Sequence, residues 1–234
     1  MTHPHLAPPA VHIEVWSDIA CPWCYIGKRR FTAALASFEH RDRVEVTWRS
    51  YQLAPETPVG RRKPESEALA EMKGMPLEQV RQMFSQVSGA AAEVGVEIDF
   101  DTVIAANTFD AHRLVHLAGS RSEDLLEALF RAHFVEGEVV DDRETLVRIA
   151  ASAGLDADVV RAELGSDAAA EAVRADLLAA RQLGVTGVPF FVANRAVAVS
   201  GAQPEDVFVA LLRHAIDDVD AASAPHVAAD VQGR

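Results

Sequence analysis

Two short segments near the start of the chain alternate between apolar and more polar residues, a period of two that is typical of β-strands. The segments are VHIEVW, residues 11–16, and VEVTWR, residues 44–49. Between them, from Pro22 to about Glu39, apolar residues recur at the spacing of an amphipathic helix. Pro22 suits the first helical turn because its missing N–H would have no acceptor there. The order strand, helix, strand predicts a right-handed crossover unit if the strands pair in parallel.

The segment APETPVGRRKPES, residues 54–66, interrupts this pattern with prolines and a glycine and therefore marks a boundary. From there to about Leu183 the chain is rich in Ala, Leu, Glu and Arg at helical spacing. About six helices are expected in this region.

A β-pattern returns near the C-terminus. Residues 190–192 and 196–199 are apolar and are separated by Ala193-Asn194-Arg195, which predicts a hairpin with Asn194 in left-handed geometry. Pro204 opens a final amphipathic helix. Residues 221–234 show no periodicity, so we expect a flexible C-terminal tail.

The charge balance limits the classes of partner. The chain has 22 basic and 35 acidic residues, a formal net charge of −13. Nucleic acid and anionic membranes both demand basic surface, so neither is expected as a partner. The N-terminus lacks the basic and apolar regions of a secretory signal, and no apolar run is long enough to span a membrane. A cytoplasmic location is therefore expected.

Both cysteines of the chain lie in CPWC, where the first strand gives way to the helix. At that junction free N–H groups and the helix dipole favour a thiolate, so we expect a lowered pKa for Cys21. Cys24 is one turn further on the same side. The spacing allows Cys21 to attack a disulfide and Cys24 to resolve the mixed disulfide that forms.

A structural zinc site is the alternative use of a CxxC pair. Such a site usually needs four ligands, and the chain has no second CxxC pair. His112 and His116, four residues apart on one predicted helix, could complete a set of ligands. Pairs of this kind occur often by chance, so the redox interpretation is favoured and no metal or other cofactor is expected.

Three segments together resemble the DsbA-like oxidoreductases, and most closely their FrnE-type subgroup. They are SDIACPWCYIGKRRF at 17–31, NTFDAHRL at 107–114 and GVPFFVANRAVAVSGAQP at 187–204. The resemblance implies an α/β thioredoxin fold with a large all-helical insertion. Its core would be discontinuous, residues 1–60 and 185–220, with a helical insertion domain at 61–184.

The resemblance also implies roles for individual residues. Cys21 would be the exposed nucleophile and Cys24 the resolving thiol. Val188–Pro189 would be a cis peptide facing them, with the Val188 backbone open to pair with a client. The expected activity is thiol–disulfide exchange with protein or small-molecule clients, with glutathione or a thioredoxin-type reductant as possible partners.

The chain departs from the family pattern at two places. Val15 occupies the position, six residues before the first cysteine, where relatives carry a buried acid. Glu14 would point to the other face, so Asp18 is the candidate proton acceptor for Cys24. The dipeptide between the cysteines is Pro-Trp and not Pro-His, and loss of an imidazole should make the disulfide less oxidising.

Two other functions compete with disulfide exchange. Kappa-class glutathione transferases and hydroxychromene-carboxylate isomerases are also similar to this chain, but a serine stands at the position of Cys21 in them. Their glutathione clamp would fall near Ala202-Gln203, which lack its hydroxyl and carboxylate. The other alternative is a redox-silent binding protein or chaperone that uses apolar surface of the insertion.

Several further residues have two interpretations each. Pro22 and Trp23 could contact a client, and Trp23 could shield Cys24 or simply pack in the core. The basic side chains at 28–30 could attract acidic clients or glutathione, although a solvated helix face is the commoner use. Asn107 and His112 could border the active cleft, or could serve packing and capping.

Overall fold

A computed structural model describes residues 10–223 of the chain. The strands of its mixed sheet are β1 (Val11–Ser17), β2 (Val44–Ser50), β3 (Phe190–Ala193) and β4 (Val197–Ser200), in the order β2-β1-β3-β4. The helices are α1 (Pro22–Ser37), α2 (Glu65–Lys73), α3 (Leu77–Ala92), α4 (Phe109–Leu117), α5 (Ser122–Phe134), α6 (Arg143–Ser152), α7 (Ala157–Leu164), α8 (Ala170–Gln182) and α9 (Glu205–Ser223).

The strand pairing confirms the predicted parallel strand–helix–strand unit and the predicted hairpin near the C-terminus. β1 and β2 are parallel and joined through α1, while β3 runs antiparallel to both β1 and β4. In the hairpin between β3 and β4, Asn194 and Arg195 both have left-handed backbone geometry, with φ of 50° and 54°. Two consecutive positive φ angles define the turn type whose twist matches that of the flanking strands.

Both faces of β1 are covered, so Trp16 is buried although it lies on the more polar face of the strand. On the first face an aromatic cluster packs against β1, with ring centroids 5.2 Å apart for Phe31 and Phe191 and 4.6 Å for Phe191 and Phe208. On the second face Trp16 packs against Ala180 of α8. The helical segment after residue 60 supplies this second cover, which period-two alternation alone does not reveal.

The region between the two halves of the sheet is helical, as predicted, and it contains seven α-helices between residues 65 and 182, close to the six or so expected. The short helices α6 and α7 are separate because each has an aspartate at its start. Asp142 accepts from the Thr145 N–H and Asp156 from the Val159 N–H. One buried apolar cluster contains side chains of both the sheet and these helices, so the proposed division into two domains stays a prediction.

At the C-terminus, α9 continues to Ser223, two residues beyond the predicted start of the tail at Ala221. Alanine is the best helix former, which accounts for the extension through Ala221 and Ala222. The rest of the predicted tail, residues 224–234, lies outside the described residues. Among residues 10–223, no helix has the length and apolar character needed to cross a membrane.

A buried aspartate on α8 holds the insertion to the sheet. The carboxylate of Asp176 accepts from the Ser50 N–H at 2.9 Å and from Arg49 Nη1 at 3.1 Å. It also lies 2.9 Å from His116 Nε2, and its backbone carbonyl accepts from Trp16 Nε1 at 3.1 Å. Burial opposes ionisation, but His116, the Ser50 N–H and Arg49 outweigh it and lower the pKa of Asp176.

We expect Asp176→Asn to reduce the free energy of unfolding at neutral pH by about 1–3 kcal/mol, because hydrogen bonds to a charged buried group are lost. The folded pKa of Asp176 is lowered, so its contribution is present above the unfolded carboxyl pKa and is lost as pH falls through the folded pKa. Urea denaturation between neutral and acidic pH should therefore show the gap to wild type closing at low pH. Asp158→Asn, whose side chain is 95% exposed, is the control and should change stability little. A gap that is constant with pH would contradict the charged network.

Candidate active site

The two thiols lie where β1 passes into α1. The chain turns over Asp18, with the Cys21 N–H donating to the Asp18 carbonyl at 3.0 Å, and Cys21 is the residue that caps the helix. Its side chain makes no capping hydrogen bond, and Pro22 occupies the first turn. Both cysteines are free thiols. The predicted position of Cys21 at the strand–helix junction is thus confirmed.

Cys21 is not the exposed residue that the family resemblance implied, since only 4% of it is accessible to solvent. Val188, two residues before the start of β3, lies against it, and the Cys21 Sγ is 3.6 Å from the Val188 carbonyl oxygen. The Val188–Pro189 bond is cis, as that resemblance implied. The thiol is therefore largely shielded from solvent, with the Val188 carbonyl beside its sulfur.

Cys24 is buried more deeply, with 1% accessible. Burial, together with the hydrogen bond and charge of Cys21, raises its pKa well above the usual value for a thiol. The Asp18 N–H, which donates to Cys24 Sγ at 3.4 Å, acts in the opposite direction but does not offset burial. The Cys24 thiol is therefore protonated at neutral pH.

The loop around Pro189 is fixed by close packing against α1. A β-carbon added at Gly27 would lie 2.8 Å from Pro189 Cγ and 3.5 Å from Ala202. On its other side the loop is held by the Gly201 N–H, which donates to the Pro189 carbonyl at 2.8 Å. Absence of a side chain at residue 27 therefore lets the helix that carries the cysteines meet the loop that covers them.

Asp18 contacts Cys24 through its backbone and not through its carboxylate. The carboxylate accepts from the Leu53 N–H at 2.7 Å and lies 3.4 Å from His112 Nε2. Burial opposes ionisation of Asp18, but the hydrogen bond and charge of His112 and the donors from Leu53 and Thr108 outweigh it and lower the pKa. The role of Asp18 as proton acceptor stays a prediction, and the structure adds His112 as its immediate partner.

Asn107 fixes the loop that follows β2. Its amide nitrogen donates to the carbonyl of Thr57 at 2.8 Å and of Pro55 at 3.2 Å, and its amide oxygen accepts from the Phe109 N–H at 3.0 Å. That same loop carries Leu53, which donates to Asp18. Asn107 therefore influences the thiol site indirectly, by holding the loop whose Leu53 N–H donates to Asp18.

Two titratable side chains near Asp18 were not recognisable as site residues from the sequence. Burial and the charge of Asp18 raise the pKa of Glu65, at the start of α2, to about 7. Burial lowers the pKa of His133, on α5, to about 4, so its imidazole is neutral at physiological pH. Both are far from the cysteines in sequence, and only the packing of the insertion brings them near Asp18.

The surface beside the dithiol is apolar. Trp23 is 40% exposed, which excludes the core-packing interpretation, and Leu53 is 47% exposed. Pro22 is partly accessible between the two cysteines. Contact of Pro22 and Trp23 with a client stays a prediction.

The three basic residues that follow the cysteines do not form a solvated face. Lys28, 5% exposed at its side chain, pairs with Glu127 of α5 at 2.9 Å, and Arg29 pairs with the same carboxylate. Arg30 donates to the Ala202 carbonyl at 2.7 Å and pairs with Glu93. These side chains bind α1 to neighbouring segments, which explains why they are polar on a helix that is largely buried.

The histidines considered as zinc ligands are directed to different carboxylates. His112 lies against Asp18 and His116 against Asp176. Across residues 10–223, no group of three or more His, Cys, Asp or Glu side chains is arranged to hold a metal ion.

The chain is similar to a known domain family and to individual proteins. The model of the DSBA-like thioredoxin domain matches residues 12–213. The "probable DsbA oxidoreductase SCO1869" from Streptomyces coelicolor is 46% identical, with a TM-score of 0.85 over 89% of this chain and 91% of that chain. The Bacillus subtilis protein YwbO is 29% identical over 202 residues, 85% of this chain and 94% of its own length.

A more distant structure is similar in fold alone. The cytosolic disulfide reductase DsbM from Pseudomonas aeruginosa, in its structure with GSH, is 22% identical, with a TM-score of 0.56 over 88% of this chain and 99% of that chain. The thioredoxin fold with a helical insertion is confirmed by these comparisons, while the FrnE-type subgroup stays a resemblance.

We expect opposite effects from the same substitution at two helical glycines. Gly27→Ala should reduce the free energy of unfolding by about 1–3 kcal/mol, because its methyl group overlaps the Pro189 ring. Gly89→Ala, in α3 with nothing within 4 Å of the added carbon, should stabilise by about 1 kcal/mol through helix propensity. Urea denaturation of both variants provides the measurement. If Gly27→Ala were as stable as Gly89→Ala, the loop would not be packed against α1 as described.

Proposed function

We propose that this protein, which belongs to the DSBA-like thioredoxin domain family, is a thiol–disulfide oxidoreductase whose exchanging centre is Cys21 and Cys24. The observation that carries the proposal is the unequal environment of the two thiols. Cys24 is buried and its pKa is raised, whereas Cys21 caps α1, with its Sγ 3.6 Å from the Val188 carbonyl oxygen and the exposed Trp23 two residues further along the helix. In such a pair the Cys21 thiol reacts first, and the buried Cys24 thiol reacts in the second step.

Exchange with an oxidised client proceeds in two displacements. The Cys21 thiol first loses its proton to solvent. The resulting thiolate attacks one sulfur of the client disulfide, the client S–S bond breaks, and the departing client thiolate takes up a proton from solvent. Cys24 then loses its proton and attacks Cys21 Sγ, which releases the second client thiol and leaves the Cys21–Cys24 disulfide. The client gains two electrons and two protons, and the cysteine pair loses them. The reverse sequence oxidises a client dithiol.

The neighbouring groups have distinct roles in this proposal. The backbone of Val188 pairs with the client chain next to the reacting sulfur, in the manner of an added strand. Pro189 holds that segment against α1. Trp23 and Pro22, which directly follow Cys21, contact apolar client side chains. Asp18 and His112 keep the turn before Cys21 in place through the contacts with Leu53 and Cys24.

The substrates we propose are protein or small-molecule disulfides and thiols. Glutathione is the first small thiol to test, because the related fold of DsbM was solved with GSH. A thioredoxin-type reductant is the second candidate partner. The net charge of −13 favours clients that are neutral or basic.

Cys21 should react with alkylating reagents much faster than Cys24. The reduced protein, treated briefly with iodoacetamide near neutral pH and then digested, should carry the label on Cys21 by mass spectrometry, because burial keeps Cys24 protonated. The unfolded protein is the control, in which both thiols should react alike. Faster labelling of Cys24 in the folded protein would reverse the assignment.

Cys24→Ser should accumulate mixed disulfides, because Cys21 still attacks clients and no second thiol resolves the adduct. Non-reducing gels of cell extract incubated with this variant should show adducts that dithiothreitol removes. The double variant Cys21→Ser/Cys24→Ser is the matched control and should show none. Wild-type protein should also catalyse reduction of a model disulfide by glutathione, and absence of both turnover and adducts would refute the proposed function.

A further inference from the structure

The last residue of β1 has an unsatisfied hydroxyl beside the active site. Ser17 is 3% exposed, and its Oγ has no hydrogen-bond partner among the residues that the structure describes. Directly opposite in the parallel pair, the equally buried Ser50 has its Oγ 3.2 Å from His116 Nε2. A buried hydroxyl left without a partner is uncommon in folded proteins and calls for an explanation.

The buried sulfur of Cys24 lies close to that hydroxyl, next to the turn that follows Ser17. The Ser17 hydroxyl faces this thiol closely enough to lower its pKa, although it does not form a hydrogen bond of standard geometry with it. The next residue donates its N–H to the same sulfur at 3.4 Å, between Asp18 N and Cys24 Sγ. Two consecutive residues at the end of β1 therefore present a hydroxyl and an amide to one buried sulfur.

A thiol makes little use of such donors, but a thiolate does. Sulfur in a neutral thiol is a weak acceptor, whereas a buried anion must find donors to replace the water it has lost. A serine hydroxyl rotates freely and can turn toward a charge when one forms. The position where relatives have a buried acid is Val15 in this chain, so that route for handling the proton is absent at that position.

We propose that the Ser17 hydroxyl and the Asp18 N–H form a two-donor site that receives the Cys24 thiolate in the resolving step of exchange. The inference rests on the proposed function. In that step the Cys24 S–H bond breaks, its sulfur forms a bond to Cys21 Sγ, and the bond from Cys21 Sγ to the client sulfur breaks. The client leaves as a thiolate and gains the proton that Cys24 lost, so that charge and atoms balance. Ser17 acts as a hydrogen-bond donor and is neither oxidised nor permanently deprotonated.

Rapid mixing separates the two displacements. Reduced protein mixed with an aromatic disulfide such as dithiobisnitrobenzoate releases one coloured thiolate when Cys21 attacks and a second when Cys24 resolves. Ser17→Ala should leave the first phase unchanged and slow the second. If loss of the donor reduces the thiolate fraction roughly tenfold, the slowing is about threefold, because the more basic thiolate is also the better nucleophile.

The pH dependence of the second phase distinguishes donation from a merely structural role. Below the pKa of Cys24 the alanine variant should be slower than wild type, and above it the variant should become faster by about threefold, so that the two profiles cross. The titratable groups around Cys24 are Cys21 on α1, Asp18 in the preceding turn and, behind Asp18, His112 on α4, Glu65 on α2 and His133 on α5. Because all of these are common to both proteins, the ratio of rates at each pH isolates the effect of the hydroxyl.

Matched variants complete the design. Ser17→Thr keeps the hydroxyl and should retain the wild-type second phase. Ser17→Val places a side chain with the shape of threonine but without the hydroxyl, and it should behave as Ser17→Ala. Ser50→Ala removes the opposing hydroxyl, which is bound to His116, and should not shift the profile. If Ser17→Ala does not fold, the Thr and Val variants decide the question by the same ratio.

The outcomes separate this inference from the proposed function. A second phase that is equal in wild type, Ser17→Ala and Ser17→Val at every pH overturns the donor role of Ser17 and leaves exchange intact. Slowing that persists unchanged at pH values above the pKa of Cys24, without a crossing of the profiles, also overturns it, because that pattern indicates misplacement of Cys24. Absence of a first or second phase in wild type refutes exchange itself.

Discussion

Burial of the Cys24 thiol at the end of β1 is the constraint on which the rest of the site depends. A cysteine with 1% of its surface exposed cannot ionise readily, so in the proposed exchange Cys21 is the thiol that reacts first. That arrangement requires the strand, the turn at Asp18 and the first turn of α1 to stay in register. The Asp18 N–H bond to Cys24 and the Cys21 N–H bond to the Asp18 carbonyl provide this, and Pro22 fixes the start of the helix.

Helix α4 transmits the packing of the insertion to this turn. From a single short segment, Asn107 holds the loop after β2, His112 meets Asp18, and His116 meets the Asp176 carboxylate. Arg113, on the same helix, donates to carbonyls of residues 163–168, from the end of α7 to the segment before α8. The NTFDAHRL run is therefore a polar connector between sheet and insertion, and its residues affect the thiols through the segments that they hold.

Local features of the fold and site were predictable from sequence, and features created by distant partners were not. The CPWC position, the parallel crossover and the hairpin with left-handed Asn194 depend on neighbouring residues, and all three are confirmed. Lys28 was expected to be solvated, but α5 supplies Glu127 as its partner. Glu14, on the more polar face of β1, is likewise buried because Arg49 and Arg195 converge on its carboxylate. Such partners are set by tertiary packing, which sequence periodicity does not encode.

The charge already present near the thiols explains why a donor suits this site better than a buried acid. Asp18 is ionised because hydrogen bonds from His112 and from the Leu53 N–H stabilise its carboxylate, and its charge contributes to the raised pKa of Glu65, about 7. A further carboxylate at residue 15 would add negative charge next to a sulfur that must itself become negative. Hydrogen-bond donors stabilise the sulfur anion without adding charge, and the proton can pass to the departing client thiolate. In the proposed exchange, the valine at residue 15 avoids a second negative charge near Cys24, and the free hydroxyl at residue 17 supplies a neutral donor to the Cys24 thiolate.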